Sequence, residues 1–422
     1  MDYFHYLEDR LHCEEVPLEE IAAAVGTPCY CYSQRTLMRH LQAFQRAFVD
    51  TPHLICYSVK ANSNLTLLKR LVDRGAGLDI VSGGELERAR RAGCPGERVV
   101  FSGVGKSHDE ISAALGYGIR MFNVESMPEL YRINAIATRL GVRAPVALRI
   151  NPDVDAHTHS HMTTGLWRNK FGIPYGQAID LYRQANRLGH IEVVGLDCHI
   201  GSQLTTLDPF VEAIQRIGAL LPLLRREGIQ LRYLDIGGGL GIPYESGDQP
   251  PTPAQLAEAL HSQLQQFPDV ELILEPGRAI VGNAGVLMAR VEYVKPVEDR
   301  CFVITDAGMN DLIRPALYNA WHGVLPVVRH FDRSEWLSDV VGPICESGDF
   351  FARDRLLPEF QEGELLVVRS AGAYGFSMSS HYNSRPGVAE VLVDGNRFSV
   401  IRQRETIEQL LAHEMTDELH RS

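Results

Sequence analysis

The chain carries eight cysteines but no CxxC pair, and positions 13, 29, 31, 56, 94, 198, 301 and 345 trace neither a zinc-ligand spacing nor a disulfide framework. A structural metal and a disulfide-stapled secreted scaffold are therefore not expected, and a reducing cytoplasm is the expected setting. A surplus of positive charge is also missing: 41 Lys and Arg stand against 53 Asp and Glu, a formal net charge of -12. That balance disfavours an extended nucleic-acid footprint and adhesion to an anionic membrane. It leaves room for a few arginines in a pocket, where they can hold a carboxylate. No apolar run is long enough to span a bilayer, and the N-terminal MDYFHYLEDRLHCEEV has acids where a signal peptide needs a basic flank. Small molecules are the expected partners, with neither nucleic acid nor membrane among them.

What the chain does contain is a rhythm. At 422 residues it exceeds what one hydrophobic core usually serves, so two domains are expected. From about residue 54 to 277, eight short apolar runs alternate with amphipathic helical stretches. The runs are LICYSVKA (54–61), LDIV (78–81), VVFS (99–102), MFNVE (121–125), PVALRIN (145–151), VVGLDCHI (193–200), YLDIGGG (233–239) and LILEPG (272–277). Eight strand–helix units predict an α/β fold with a (β/α)8 TIM-type barrel over residues 32–280. An open doubly wound sheet is the rival; IGGGLGI (236–242) could serve it, but comes late and lacks the G-x-G-x-x-G spacing. After about 280 the strand-like runs crowd together without long helices. A mainly antiparallel β-domain is therefore expected over 281–422, joined by residues 1–31.

In a barrel, chemistry gathers where strands end. The eight runs end in or near Lys60, Asp79, Ser102, Asn123, Arg149, His199, Gly237 to Gly239 and Glu275. Lys60, in YSVKAN, has a stem that apolar neighbours can bury, and a desolvated amine is neutral and can attack an aldehyde. A snorkelling surface lysine is the plain alternative. DIGGGLG (235–241) places Gly238 and Gly239 where backbone N–H groups can approach an anion, and EPGR (275–278) adds Gly277 in a second such turn. Phosphate bound after strands seven and eight recurs in barrels; tight turns alone are the alternative. Glu275 suits an electron-sink cofactor that needs an acid beside its ring nitrogen. His199 could lie flat over a ring, with Ser202 donating to phosphate. HTHSH (157–161) offers three imidazoles, but sits in a loop with no completing acid or cysteine, so no metal is assigned. Cys345 alone reads as a buried small hydrophobe. Flanked by Glu346 and Asp349, whose charges raise a thiol pKa, it suits donating a proton better than attacking.

Taken as an ordered set, YSVKAN (57–62), HIGSQ (199–203), DIGGGLG (235–241), EPGR (275–278), CESGD (345–349) and GAYGFSM (372–378) resemble the fold-type III pyridoxal-phosphate (PLP) decarboxylases over nearly the whole chain. That family has an alanine-racemase-like barrel and a C-terminal β-domain. Two further segments, TTGLWRNKFGI (163–173) and LIRPALYNAWH (312–322), are similar to the branch that decarboxylates meso-diaminopimelate to lysine. The resemblance implies PLP linked to Lys60, with Asp79, His199, Ser202, Gly238, Gly239, Glu275, Gly277, Arg278 and Tyr374 at the cofactor. It also implies that Arg278, Arg314 and Tyr318 hold the substrate's distal carboxylate, Glu346 its distal amine, and that Tyr374 faces both cofactor and substrate. Cys345 would return a proton to the decarboxylated carbon, reaching across a homodimer with shared active sites. A relative acting on ornithine, arginine or a carboxylated polyamine stays open. An alanine-racemase-like enzyme fits less well, because racemases pair the ring nitrogen with arginine. A non-catalytic regulator is opposed by Lys60, Glu275 and Cys345 together.

Overall fold

The computed structural model describes residues 2–154 and 170–415. The chain divides into two compact units, one spanning Leu37–Gly282 and the other combining Met1–Thr36 with Asn283–Ser422.

In the first unit eight strands run in parallel: β1 His53–Ser58, β2 Gly77–Ile80, β3 Val99–Phe101, β4 Met121–Val124, β5 Ala144–Asn151, β6 Ile191–Asp197, β7 Tyr233–Asp235 and β8 Glu271–Leu274. β8 returns to pair with β1, Leu272 opposite His53, so the sheet closes on itself. An open doubly wound sheet needs two free edges, and this ring has none. Local signals set the helices. Helix His108–Tyr117 opens on a reciprocal capping box between Ser107 and Glu110 and stops at Gly118, whose φ of 70° is left-handed. Residues 208–226 form two helices, Asp208–Gly218 and Leu220–Arg226. Pro222 in the second has no N–H to continue the hydrogen-bond ladder of the first.

Side chains alternate along a strand, and the barrel interior follows that period. One inner cluster consists of Leu54, Cys56, Val100, Met121, Ala147, Val194 and Ile273, all buried, with Tyr233 packed against it. Two residues further along the same strands lie Ser58, Ser102, Asn123, Arg149, Glu275 and, after Tyr233, Asp235. An apolar plug therefore carries a polar layer at the strands' C-terminal ends. On β6 the spacing differs: the register shifts between Val193 and Gly195, and Asp197 follows three residues after Val194.

In the second unit one path of strands runs Phe350–Pro358, Glu335–Val341, Arg300–Thr305, Gly285–Val297, Cys29–Ser33, Ala389–Asp394 and Arg397–Arg402. Pairing along it is antiparallel except between Arg300–Thr305 and Glu335–Val341, and between Cys29–Ser33 and Ala389–Asp394. Cys29–Ser33 thus supplies an N-terminal strand to a C-terminal sheet. EWLSDVV (335–341) and FFARDRLLP (350–358) lack a continuous apolar pattern because charged residues interrupt it; here they pair with each other along a partly exposed edge.

A buried cation braces the barrel. Lys106 Nζ donates to Gly103 O, Asn123 O and Glu129 Oε1, each at 2.7 Å. The other Glu129 oxygen accepts the Glu125 N–H at 2.9 Å. Lys106→Met strands Glu129 in the interior without its cation, and a loss of about 3–5 kcal/mol is expected. Urea unfolding checks this; an unchanged midpoint would show that the pair does not brace the fold.

Candidate active site

β1 ends at Ser58, so Lys60 sits in the 3-10 turn Val59–Ala61 beyond the strand in which it was expected. Its side chain is 38% exposed and its Nζ lies 2.9 Å from Asp79 Oδ2. The expected desolvation of this amine is therefore corrected: an ion pair holds it. Ser58 Oγ lies 2.9 Å from the same Asp79 oxygen and 3.0 Å from the Glu275 carbonyl.

Glu275 is buried, and its Oε1 accepts from Ser102 Oγ at 3.2 Å and Asn123 Nδ2 at 3.3 Å. Burial, then the nearby Asp79 charge, pushes its pKa up to about 7. Asn123 Nδ2 also reaches Asp235 Oδ2 at 3.2 Å. Burial raises Asp197 and Asp235 well above the ordinary carboxylate range as well, with the Glu275 charge the next cause for each. Arg149 supplies opposing charge: its Nη1 donates to Glu125 Oε1 at 2.6 Å, and its Nε lies 3.9 Å from Asp197 Oδ2.

Of the glycines expected to offer N–H groups to an anion, Gly238 is already engaged, since its N–H donates to His199 Nδ1 at 3.2 Å. A backbone N–H only donates, so this His199 nitrogen carries a lone pair. Burial, followed by the charges of Arg149 and Lys60, drives the His199 pKa well below its usual value and keeps the ring neutral. Gly238 is required for a different reason: a Cβ there would lie 2.2 Å from Glu275 O. The N–H groups of Gly239 and Gly277 make no hydrogen bond among the described residues. Beside them in sequence, Arg278 Nη2 donates to Ser202 Oγ at 3.0 Å and Nη1 to Tyr244 OH at 2.6 Å.

The second unit holds the other candidates. Helix Arg314–Tyr318 places its first and last residues one turn apart on one face, with Arg314 buried and Tyr318 half-buried. Cys345 is the one exposed cysteine of the eight, which corrects its reading as a buried hydrophobe. Its N–H donates to Asn383 Oδ1 at 2.8 Å. Asp349, buried, accepts the N–H groups of Met309 and Ile344 at 2.6 and 2.7 Å. Glu346 is exposed, and Tyr374, half-buried, has a left-handed φ of 57°. The histidines of HTHSH and residues 163–169 lie outside the described residues. Ser58, Glu125, Asp197, Asp235, Tyr244 and His322 were not singled out from the sequence. For Ser58 and Asp235, a two-residue step beyond an inward apolar position is the signal that finds them.

The donor set suits pyridoxal phosphate. Asp79 Oδ1, Asn123 Oδ1 and Asp197 Oδ1 are buried without a hydrogen-bond partner, an amine stands at the rim, and unengaged glycine N–H groups adjoin Arg278 and Ser202. Comparison with known proteins agrees. Residues 34–282 match the pyridoxal binding domain of the pyridoxal-dependent decarboxylases, and the chain belongs to that family. Its cofactor is pyridoxal 5'-phosphate. Within the family, its relatives include diaminopimelate decarboxylases. The chain is 55% identical to that of Vibrio cholerae, over 98% of this chain and 99% of the relative. The structure of Helicobacter pylori diaminopimelate decarboxylase complexed with L-lysine is 42% identical, covers 94% of this chain and 99% of its own, and superposes with a TM-score of 0.90. That from M. jannaschii in co-complex with L-lysine is 37% identical, covers 99% and 98%, and has a TM-score of 0.94.

The raised Glu275 pKa has a stability consequence. A carboxyl that binds its proton more tightly folded than unfolded favours folding at low pH. Its contribution falls as pH rises from 4.5 to about 7 and then levels off. In cofactor-free protein, wild type should lose up to roughly 3 kcal/mol relative to Glu275→Gln across that window. Parallel urea curves for the two proteins would refute this if they kept a constant offset.

Proposed function

We propose that this chain is a PLP-dependent carboxy-lyase that converts meso-2,6-diaminopimelate to L-lysine and CO2, the last step of lysine biosynthesis. The observation that carries the proposal is the linkage of the Lys60 amine to the Glu275 segment through Asp79 and Ser58, beside the buried acids of the barrel. Pyridoxal phosphate, when bound, supplies an aldehyde for covalent attachment and an electron-accepting ring. Lys60 is the amine for that attachment, and Asp79 holds it in place. Glu275, kept in register by Ser102 and Asn123, is the acid for the ring nitrogen. Gly239, Gly277, Ser202 and Arg278 are the phosphate group's donors, Gly238 shapes the turn, and neutral His199 offers a flat face.

Arg314 and Tyr318 take the substrate's distal carboxylate together with Arg278, because a planar guanidinium can fork two oxygens. Glu346 takes the distal amine, and Tyr374 serves both cofactor and substrate. Cys345 Sγ donates a proton to the carbon that has lost CO2. The exposure of Cys345 and Glu346, on a loop tied down by Asp349 and Asn383, supports their use by a second subunit in a homodimer with shared sites. Eight cysteines, all free, are in keeping with a cytoplasmic enzyme. Among the described residues no helix is long and apolar enough to cross a membrane.

With PLP added, the protein should release lysine and CO2 from meso-diaminopimelate in preference to any release of CO2 from ornithine, arginine or a carboxylated polyamine. Lys60→Ala should lose both the visible absorbance of lysine-linked cofactor and nearly all turnover; a normal spectrum in that variant would remove Lys60 from its role. A purified, differently tagged heterodimer of Lys60→Ala and Cys345→Ala should regain activity over either parent, since one of its sites then has both groups intact. No gain in a verified heterodimer rejects the shared site.

A further inference from the structure

The segment that carries Arg314 ends in a histidine to which nothing above gives a task. His322 is fully buried, with 0% exposure. Its Nδ1 lies 2.8 Å from the Arg369 carbonyl, and a carbonyl only accepts, so Nδ1 carries the hydrogen. Arg314 Nη1 lies 3.2 Å from Nε2, and a guanidinium only donates, so Nε2 presents a lone pair. These two bonds together define a neutral ring of one tautomer. A second proton would set an N–H against the guanidinium and place two cations side by side.

The base of the ring is rigid. Strand Val324–Pro326 pairs with Leu365–Val368, and Arg369 N donates to Gly323 O at 2.8 Å, which extends that ladder to the residue next to His322. The short helix Arg314–Tyr318, by contrast, ends at Asn319 in a left-handed turn with φ 50°. A five-residue helix cannot hold a long side chain in one rotamer by itself.

We infer that His322 is a positioning residue that transfers the rigidity of the sheet to the Arg314 guanidinium, and so helps set selectivity for substrates with a distal carboxylate. This rests on the reading of Arg314 as part of the carboxylate fork. The choice of histidine has a chemical logic. An aspartate or glutamate in the same place would also accept from Arg314, but would cancel its charge and compete with the substrate's carboxylate. A neutral imidazole orients the guanidinium while the contact leaves that charge for the ligand.

The two amide side chains separate the functions of the ring. The Asn amide reaches about as far as Nδ1, so His322→Asn retains the bond to Arg369 O and removes the acceptor facing Arg314. The Gln amide reaches about as far as Nε2, so His322→Gln restores an acceptor there and gives up the anchor. With PLP-loaded protein, KM for meso-diaminopimelate should rise about 10-fold in His322→Asn with kcat within about 2-fold, and return to within about 3-fold of wild type in His322→Gln. A merely structural histidine would respond to loss of the anchor instead, with His322→Gln the worse variant. Cofactor absorbance and the thermal midpoint establish that each variant is folded. If His322→Asn is not recovered folded, His322→Gln decides: KM near wild type supports the inference, and KM raised as far as in Arg314→Lys overturns it. Arg314→Lys, measured alongside, separates the two levels. An unchanged KM there overturns the carboxylate fork itself. A KM raised there but unmoved in His322→Asn overturns only the role of His322.

Discussion

Crowding of carboxyl groups at one end of the barrel is the constraint on which the other features turn. Glu275, Asp235 and Asp197 are buried, and for each the charge of a neighbouring acid adds to the burial that raises its pKa. Three ionised acids in that volume would repel at low dielectric, so protons must be shared or cations brought in. The chain does both. Arg149 is placed against Glu125 and Asp197, and Asn123 uses one amide group to reach Asp235 and Glu275 together. The Lys106 contact to Asn123 O then fixes the residue on which that bridge depends. A Glu275 carboxyl poised near neutrality, and not ionised outright, is the electrostatic result.

Charge is handled differently around Arg314. Inside the barrel an arginine is set against acids because the acids need neutralising; on the short helix of the other unit a neutral histidine is set against an arginine whose charge, in the function proposed above, is to be used. The two arrangements employ the same donor chemistry with opposite intent. What decides between them is whether the ligand itself arrives with the countercharge.

The barrel was legible in the sequence because parallel strands buried on both faces read as continuous apolar runs, and eight of these stand out between 54 and 277. Closure of the ring was not legible: only the pairing of Glu271–Leu274 with His53–Ser58 distinguishes a barrel from an open sheet. Lys60, Asp79 and Glu275 were visible because charge at the end of an apolar run is conspicuous. Asp235 was hidden within a glycine motif that drew attention to its backbone, and the strands Glu335–Val341 and Phe350–Pro358 were hidden by charged residues on an open face. His322 was quoted within a motif yet had no assignable role, since its partners are a carbonyl 47 residues away and a guanidinium whose orientation depends on the fold. Hydrogen-bond direction, more than residue identity, is what a sequence withholds.

The same lesson applies to His199. A histidine beside two cations has every electrostatic reason to stay neutral, and the Gly238 N–H decides which neutral form it takes by occupying Nδ1. The glycine expected to grip an anion thus acts one step earlier, on the ring. With Nδ1 engaged, the remaining hydrogen belongs to Nε2, and the imidazole contacts a backbone packed so closely on Glu275 that a Cβ at Gly238 would lie 2.2 Å from its carbonyl oxygen. A flat, uncharged face fixed in this way is suited to stacking, whereas an imidazolium so placed would oppose the positive ring in the role proposed for Glu275. Neutral histidine and a glutamate whose pKa is raised are therefore two parts of one electrostatic arrangement, each set first by burial and each dependent on Arg149 and its acids remaining where the barrel strands put them.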